Sequence, residues 1–343
     1  MKALVLEGYN HLVYKDVSQP VLGAEDVLVQ VKACGICGSD VHGMDGSTGR
    51  RIPPLIMGHE ASGVIAAVGS NVKQFRPGAR VTFDSTVYCG ACFYCRRGEI
   101  NLCDHRRVLG VSCDEYRQDG ALAEYVAVPQ HIIYALPDKI SFAQSAMVEP
   151  CSVALHAVEG TPLSLNDTAV VVGAGIIGLL VIQTLRAAGC GQIIAVDLQP
   201  EKLVLARQLG SDISLNPSKD DIISLIGKMT ANRGADLAID AVGINASLKT
   251  ALLSLRKGGF LTLIGNLSPQ VELALQSVVT KEITLRGSCA SQGEYPACLD
   301  MIARGAINVD ALISAEAPLS EGAQWFQRLY QKNQDLLKVI LVP

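Results

Sequence analysis

The chain has 343 residues, 49% of them hydrophobic and 18% charged. Single cores stop growing at about 250–300 residues, so a chain of this length is expected to fold as two domains. A formal net charge of -4, with Lys and Arg scattered rather than striped, gives no electrostatic grip on nucleic acid or on an anionic membrane.

The opening apolar run is interrupted at Glu7 and is too short for a secretory signal. Eleven cysteines are then expected to stay reduced in a cytoplasmic setting, and their spacing decides what they do. Residues 1–149 read as an irregular β-rich domain. Val27–Val31 and Gly63–Val68 have strand-like β-branched content, and Pro53-Pro54 and Pro77-Gly78 mark turns. From residue 150 the pattern alternates. Val170–Val172 is a strand, Ile176–Ala188 a helix and Gln192–Asp197 a strand, followed by a helix over Pro200–Leu209 and a strand around Ile213. A helix over Asp221–Met229, a strand at Asp236–Asp240, a helix over Ala246–Arg256 and strands at Phe260–Ile264 and Ile283–Leu285 complete the series. This α/β alternation over 150–286 predicts a doubly wound parallel sheet. Thr168–Leu185 carries no charge and imitates a membrane span, but Gly173, Gly175 and Gly178 divide it into strand, turn and helix. The last segment, 287–343, carries Trp325, Phe326 and a final apolar strand, Val339–Val342.

Two motifs stand on spacing and context. Cys89-x2-Cys92-x2-Cys95-x7-Cys103 puts four thiolates in one short loop, the closed tetrahedral set of a structural zinc. An iron–sulfur cluster takes the same four ligands, but nothing else in the chain suggests electron transfer. Gly173-Ala174-Gly175-Ile176-Ile177-Gly178 follows a strand and opens a helix, as a dinucleotide fingerprint requires. Asp197, nineteen residues beyond Gly178, stands where an acid hydrogen-bonds the adenosine ribose and repels a 2′-phosphate, which favours NAD. Lys202 lies close enough in sequence to leave some NADP tolerance.

Cys37 in a Gly-bracketed loop and His59 beside Glu60 are, taken alone, ordinary packed or surface residues. Together, however, Gly58-His59-Glu60-x2-Gly63-x5-Gly69, the four-cysteine lobe and Cys37-Gly38-Ser39-Asp40-Val41-His42 resemble the zinc-dependent medium-chain dehydrogenases over essentially the whole chain. Glu149-Pro150 is similar to the acidic position of their polyol (sorbitol/L-iditol) branch. The resemblance implies a GroES-like catalytic domain over 1–149, a Rossmann domain over 150–286, and a segment 287–343 returning to the catalytic domain. It implies one catalytic zinc held by Cys37, His59 and a carboxylate, Glu60 or Glu149, with Glu60 the resting ligand, beside one structural zinc. It further implies a proton relay from Ser39 through the nicotinamide ribose to His42, and a nicotinamide pocket lined by Ile264, Gly265, Asn266, Ser288 and Cys289. Cofactor and substrate would meet in a cleft between the domains. A homodimer or homotetramer is implied, joined through an edge of the Rossmann sheet.

The reaction expected from that likeness is oxidation of a secondary alcohol of a polyol or sugar-derived substrate to a ketone. Two departures loosen the substrate: Ala290-Ser291 replaces an Arg-Tyr pair of animal-type sorbitol dehydrogenases, and Gly43 replaces an aromatic. A polyol phosphate, a sugar acid or L-threonine is the alternative. His105, His131 and His156, and the dispersed cysteines Cys34, Cys113, Cys151, Cys190 and Cys298, are expected to be structural.

Overall fold

The computed structural model describes residues 1–113, 116–331 and 336–343; the Cys113 side chain lies outside the described residues. The chain forms two compact units, one of Met1–Ser152, Ser291–Gly305 and Val309–Pro343, the other of Val153–Ala290 with Ala306–Asn308.

The first unit is built on a seven-stranded sheet whose central strand is Asp26–Gly35. Glu60–Val68 pairs antiparallel along one side of that strand. Tyr125–Pro129 covers residues 26–30 on the other side, and the C-terminal strand Lys338–Val342 takes over at Cys34 and Gly35. The apolar faces of these strands, with Val29, Val31, Ile65, Val81, Phe83, Val128, Val339 and Leu341, form one core that Phe326 closes. At 20–33 cal/mol per Å² of buried apolar surface, such a core is what fixes the register. Register has a direct consequence at the end of the sheet: Gly35 pairs with Glu60, and Ile340 pairs with Gly35.

The second unit holds six parallel strands in the order Ile213–Leu215, Gln192–Val196, Thr168–Val172, Ala235–Asp240, Leu255–Leu263, Thr284–Gly287. The inner strands are buried nearly throughout, as parallel strands covered by helices on both faces must be. The uncharged stretch at 168–185 divides into the strand Thr168–Val172 and the helix Ile176–Ala187, and no described helix is long and apolar enough to cross a membrane. One expected boundary moves. The helix begun near Ala246 ends at Ser254, not Arg256, and the next strand starts at Leu255 rather than Phe260. Buried Leu255 pairs with Ala235 ahead of an irregularity at Arg256–Gly259, so the ladder captures two residues whose spacing also fitted the helix.

Candidate active site and cofactor cradle

Among the described residues, two groups of His, Cys and acidic side chains have ligand atoms close enough to share a metal ion. They are Cys89, Cys92, Cys95 and Cys103, and Cys37, His59 and Glu60, each set with its atoms within 4.8 Å of one another. In the first, turns of the backbone aim N–H groups at sulfur: Cys89 N–H donates to Cys103 Sγ at 3.3 Å, Cys92 N–H to Cys89 Sγ at 3.4 Å and His105 N–H to Cys103 Sγ at 3.4 Å. Such donors favour thiolates, and the bond from Cys95 N–H is the main reason that Cys92 falls to about 6. Four thiolate sulfurs fit a tetrahedral zinc and leave no position for a substrate.

In the second group Cys37 follows the central strand and caps the short helix Gly38–Gly43, its Sγ accepting from Ser39 N–H. Glu60 opens the neighbouring strand and His59 immediately precedes it, so the register that pairs Gly35 with Glu60 brings the three together. Gly35 is needed for this approach: a Cβ there would lie 2.3 Å from Glu60 Oε2. His59 Nδ1 lies 3.4 Å from Asp40 Oδ2, within ion-pair range but without the alignment of a hydrogen bond, and neither buried atom has another partner. With Nδ1 turned to Asp40, Nε2 is the nitrogen left for a metal, the usual arrangement of a ligating imidazole and its carboxylate.

Charge crowding gives a second sign that a cation belongs here. Burial and then the Glu60 charge push the Cys37 thiol up to about 11. Glu149, whose Oε1 accepts from Ser85 Oγ at 3.0 Å, is pushed up to about 8 by burial, with Glu60 and Cys37 adding repulsion against the opposing pull of His59. A divalent cation would stabilise the ionised forms of all three. The donor set fits zinc. Glu149 is outside the group that converges within 4.8 Å, and Glu60 is inside it.

Ser39 and His42 lie on the same short helix, both exposed, and Ser39 Oγ donates to Cys37 Sγ at 3.2 Å. Sequence reasoning missed three partners. Lys338 is buried at 2% exposure, and its Nζ reaches Glu60 Oε1 at 2.7 Å, Oε2 at 2.5 Å and Ile36 O at 3.1 Å. A charged residue heading the apolar strand 338–342 was the available signal. Asp40, inside the quoted Cys37–His42 motif, binds the buried Arg51 guanidinium through Oδ1. Asp84, also buried, accepts from Thr86 N–H and Ser291 Oγ beside Ser85.

The second unit gathers its candidates at the carboxyl ends of the parallel strands, where open α/β sheets bind ligands. Gly173, at φ +95°, turns the chain, and a Cβ on Gly178 would sit 1.8 Å from Gly173 O. A Cβ on Gly175 would meet nothing within 4 Å, and no side chain caps the helix that starts at Ile176 and includes Ile177. Open space over an uncapped helix start fits a pyrophosphate. Asp197 holds this loop: its Oδ2 accepts from Ala174 N–H at 2.7 Å and its Oδ1 from Gln199 N–H at 2.9 Å. Each oxygen keeps a lone pair for a ribose hydroxyl. Lys202 is partly exposed in the first turn of Pro200–Gln208. Ile264 and Gly265 donate to Asp240 O, and Asn266 beyond them is exposed. The buried Asp240 carboxylate organises the adjacent loop through Val242 and Gly243 N–H. Ser288 Oγ is a buried hydroxyl without a partner, next to exposed Cys289. Of the remaining histidines, His131 packs edge-on against Tyr88 and bonds its carbonyl.

A β-rich unit with a thiol–imidazole–carboxylate donor set, on one chain with a dinucleotide cradle, defines a metal-dependent dehydrogenase. Residues 23–138 match the alcohol dehydrogenase GroES-like domain family, and residues 177–304 the zinc-binding dehydrogenase family. The chain is 33% identical to sorbitol dehydrogenase of Bacillus subtilis over 100% of its length and 97% of that protein. It is 34% identical to D-arabitol-phosphate dehydrogenase of Enterococcus avium over 97% of its length and 94% of that protein. A solved alcohol dehydrogenase from Thermus sp. ATN1 superposes with a TM-score of 0.93 at 32% identity, covering 100% of this chain and 99% of that one. The chain belongs to the zinc-dependent medium-chain dehydrogenases of the polyol dehydrogenase-like kind, oxidoreductases that use a nicotinamide cofactor.

Proposed function

We propose that the protein oxidises a secondary alcohol of a neutral polyol or sugar-derived substrate to the ketone, reversibly and with NAD. The observation that carries this reading is the convergence of Cys37, His59 and Glu60 beside the exposed Ser39 hydroxyl: three protein ligands leave a tetrahedral metal one open position. When bound, zinc supplies a Lewis acid that lowers the pKa of the substrate hydroxyl, and the nicotinamide takes the hydride. The chain's own groups handle the proton. Ser39 receives it from the substrate hydroxyl while giving up its own, and the exposed His42 imidazole, which can both accept and donate a proton, delivers it to solvent.

Glu60 is the resting ligand in this reading and Glu149 the nearby carboxylate held in reserve. A neutral substrate is favoured because the buried cations beside the site are already committed, Lys338 to Glu60 and Arg51 to Asp40. NAD is favoured over NADP by the Asp197 carboxylate. The four-cysteine lobe takes a second, structural zinc and keeps its thiols reduced in the cytoplasm. The oligomer is a homodimer or homotetramer: among the described residues Thr284–Gly287 is an edge strand with one neighbour, and Leu267, Leu275 and Val279 expose 60%, 63% and 65% of their surface nearby in the chain.

The test is an NAD-reduction screen over neutral polyols, polyol phosphates, sugar acids and L-threonine with the zinc-loaded enzyme. Turnover highest on a neutral polyol is expected, and turnover confined to the phosphates, acids or L-threonine would overturn the substrate class. Cys37→Ser is expected to abolish turnover while NAD binding persists; retained full activity would remove the catalytic-zinc assignment.

A further inference from the structure

We propose that Arg51 is a positioning residue that fixes the Ser39 hydroxyl for proton transfer, and that Gly43 lacks a side chain in order to admit it. The inference rests on the proton role given to Ser39 above and adds the residue that governs it.

Arg51 is 4% exposed. Its Nε donates to Asp40 Oδ1 at 2.8 Å, its Nη2 lies 2.7 Å from the same oxygen and donates to Ser39 Oγ at 3.2 Å, and its Nη1 donates to Arg50 O at 3.2 Å. The backbone that delivers it is anchored, because Ser112 N–H donates to Arg50 O and Ser112 Oγ exchanges hydrogen bonds with Ile52 N–H and O. A guanidinium stays charged at any working pH and has no acceptor, so Arg51 itself moves no proton. What it does is orient. The Ser39 oxygen carries one proton, directed at Cys37 Sγ at 3.2 Å, and two lone pairs, one of which accepts from Arg51. A hydroxyl that would otherwise rotate among three positions is held so that its second lone pair alone remains for an incoming proton. As that proton arrives from the substrate hydroxyl, the original Ser39 proton turns from Cys37 Sγ and is released toward the exposed His42 and solvent, so the side chain is neutral before and after.

The same guanidinium ties this hydroxyl to the metal-ligand histidine, since Asp40 turns Oδ1 to Arg51 and Oδ2 to His59 Nδ1. Gly43 shows that the arrangement is built in. A Cβ at Gly43 would lie 2.6 Å from Arg51 Cγ and 3.2 Å from Thr48 Oγ1, so even a methyl group there must displace the arginine stem. That stem is rooted near the backbone and has little freedom to yield in a buried site. Gly43→Ala therefore moves Arg51 without removing its charge.

The experiment compares Arg51→Met, Arg51→Lys, Gly43→Ala and the double variant Gly43→Ala/Arg51→Met with the parent, all zinc-loaded. Displacement of a proton-handling group by about 1 Å costs about 100-fold in rate. Arg51→Met is expected to lower kcat about 10- to 100-fold with KM, NAD binding and zinc content close to the parent, and to raise the D2O solvent isotope effect on kcat. Gly43→Ala is expected to show the same signature, Arg51→Lys a smaller loss, and the double variant no further loss, because both changes break one contact. Independently of activity, the Arg51 Nε–H signal in 15N NMR should be protected from exchange in the parent and exposed in Gly43→Ala. An unmoved isotope effect, losses that add in the double variant, or a rate loss that merely tracks loss of zinc would overturn the proposal. An active parent with any of these outcomes refutes this inference alone, whereas a parent inactive on every alcohol refutes the function reading with it.

Discussion

Lys338→Met tests whether Glu60 is held by charge as well as by register. Lys338 and Glu60 have side chains only 3% and 1% exposed, so water screens their attraction little. Removing one partner of a buried pair leaves the other uncompensated and costs about 3–5 kcal/mol. For a domain of this size that corresponds to a fall of roughly 10 °C in melting midpoint. The protein has one tryptophan, Trp325, packed against the core of the first unit, so its fluorescence follows the unfolding of that unit. In metal-stripped protein the variant is expected to show the full loss. After zinc is restored the loss should shrink, because the ion replaces the missing positive charge beside Glu60. The measurable quantity is thus the zinc-induced shift in midpoint, larger in the variant than in the parent. At the alkaline end the sign is defined: burial works against the Lys338 ammonium, but the Glu60 charge outweighs it and holds the group above its ordinary 10.5, so the Lys338 contribution is present up to about 10.5 and is lost as the pH rises beyond it. A metal-stripped variant as stable as the parent, or an equal zinc-induced shift in both, would refute this account of the pair.

Three further outcomes are expected. Burial, with the Glu294 charge adding to it, raises Asp84 from 3.8 to about 6. The ionised carboxyl is therefore disfavoured in the fold: it costs nothing below about pH 4, costs progressively more from there to about pH 6, and then levels at about 3 kcal/mol. Asp84→Asn should flatten that part of the stability–pH curve, and an unchanged slope in paired urea titrations would count against it. Asp197→Ala should loosen the Gly173–Gly178 loop and erode NAD preference, so an unaltered ratio of NAD to NADP kcat/KM would argue that the cofactor is selected elsewhere. If the lobe takes the structural zinc proposed for it, Cys103→Ser should lower zinc content and the melting midpoint before it affects the hydride step; loss of turnover in a variant as stable as the parent would contradict a purely structural lobe.

How far the sequence could be read depended on the range over which each feature is decided. The dinucleotide loop is settled within a few residues, because the turn at Gly173 and the close approach at Gly178 are requirements of neighbouring backbone. The four lobe thiols likewise converge through local N–H···S turns. By contrast, local spacing placed Leu255 and Arg256 on a helix, and the ladder to Ala235 placed them on a strand. Gly43 could be seen as a departure from the polyol pattern, but its reason, the stem of Arg51, could not.

The sequence by itself thus determined the two kinds of domain, the lobe, the cofactor fingerprint and the residue types able to bind a catalytic metal. Only tertiary structure decided which of those residues meet. Glu60 and Lys338 are separated by 278 positions and are joined because the C-terminal strand enters the sheet beside Gly35. The register between the two strands that end at the site carries Asp40 toward His59, and Arg51 reaches Asp40 because its backbone is anchored to Ser112, sixty positions along the chain from Ile52. Periodicity states which face of a strand is apolar, whereas partner and register are set by burial summed over the whole core. The charges that govern the site were therefore invisible in the neighbourhoods of the residues they govern.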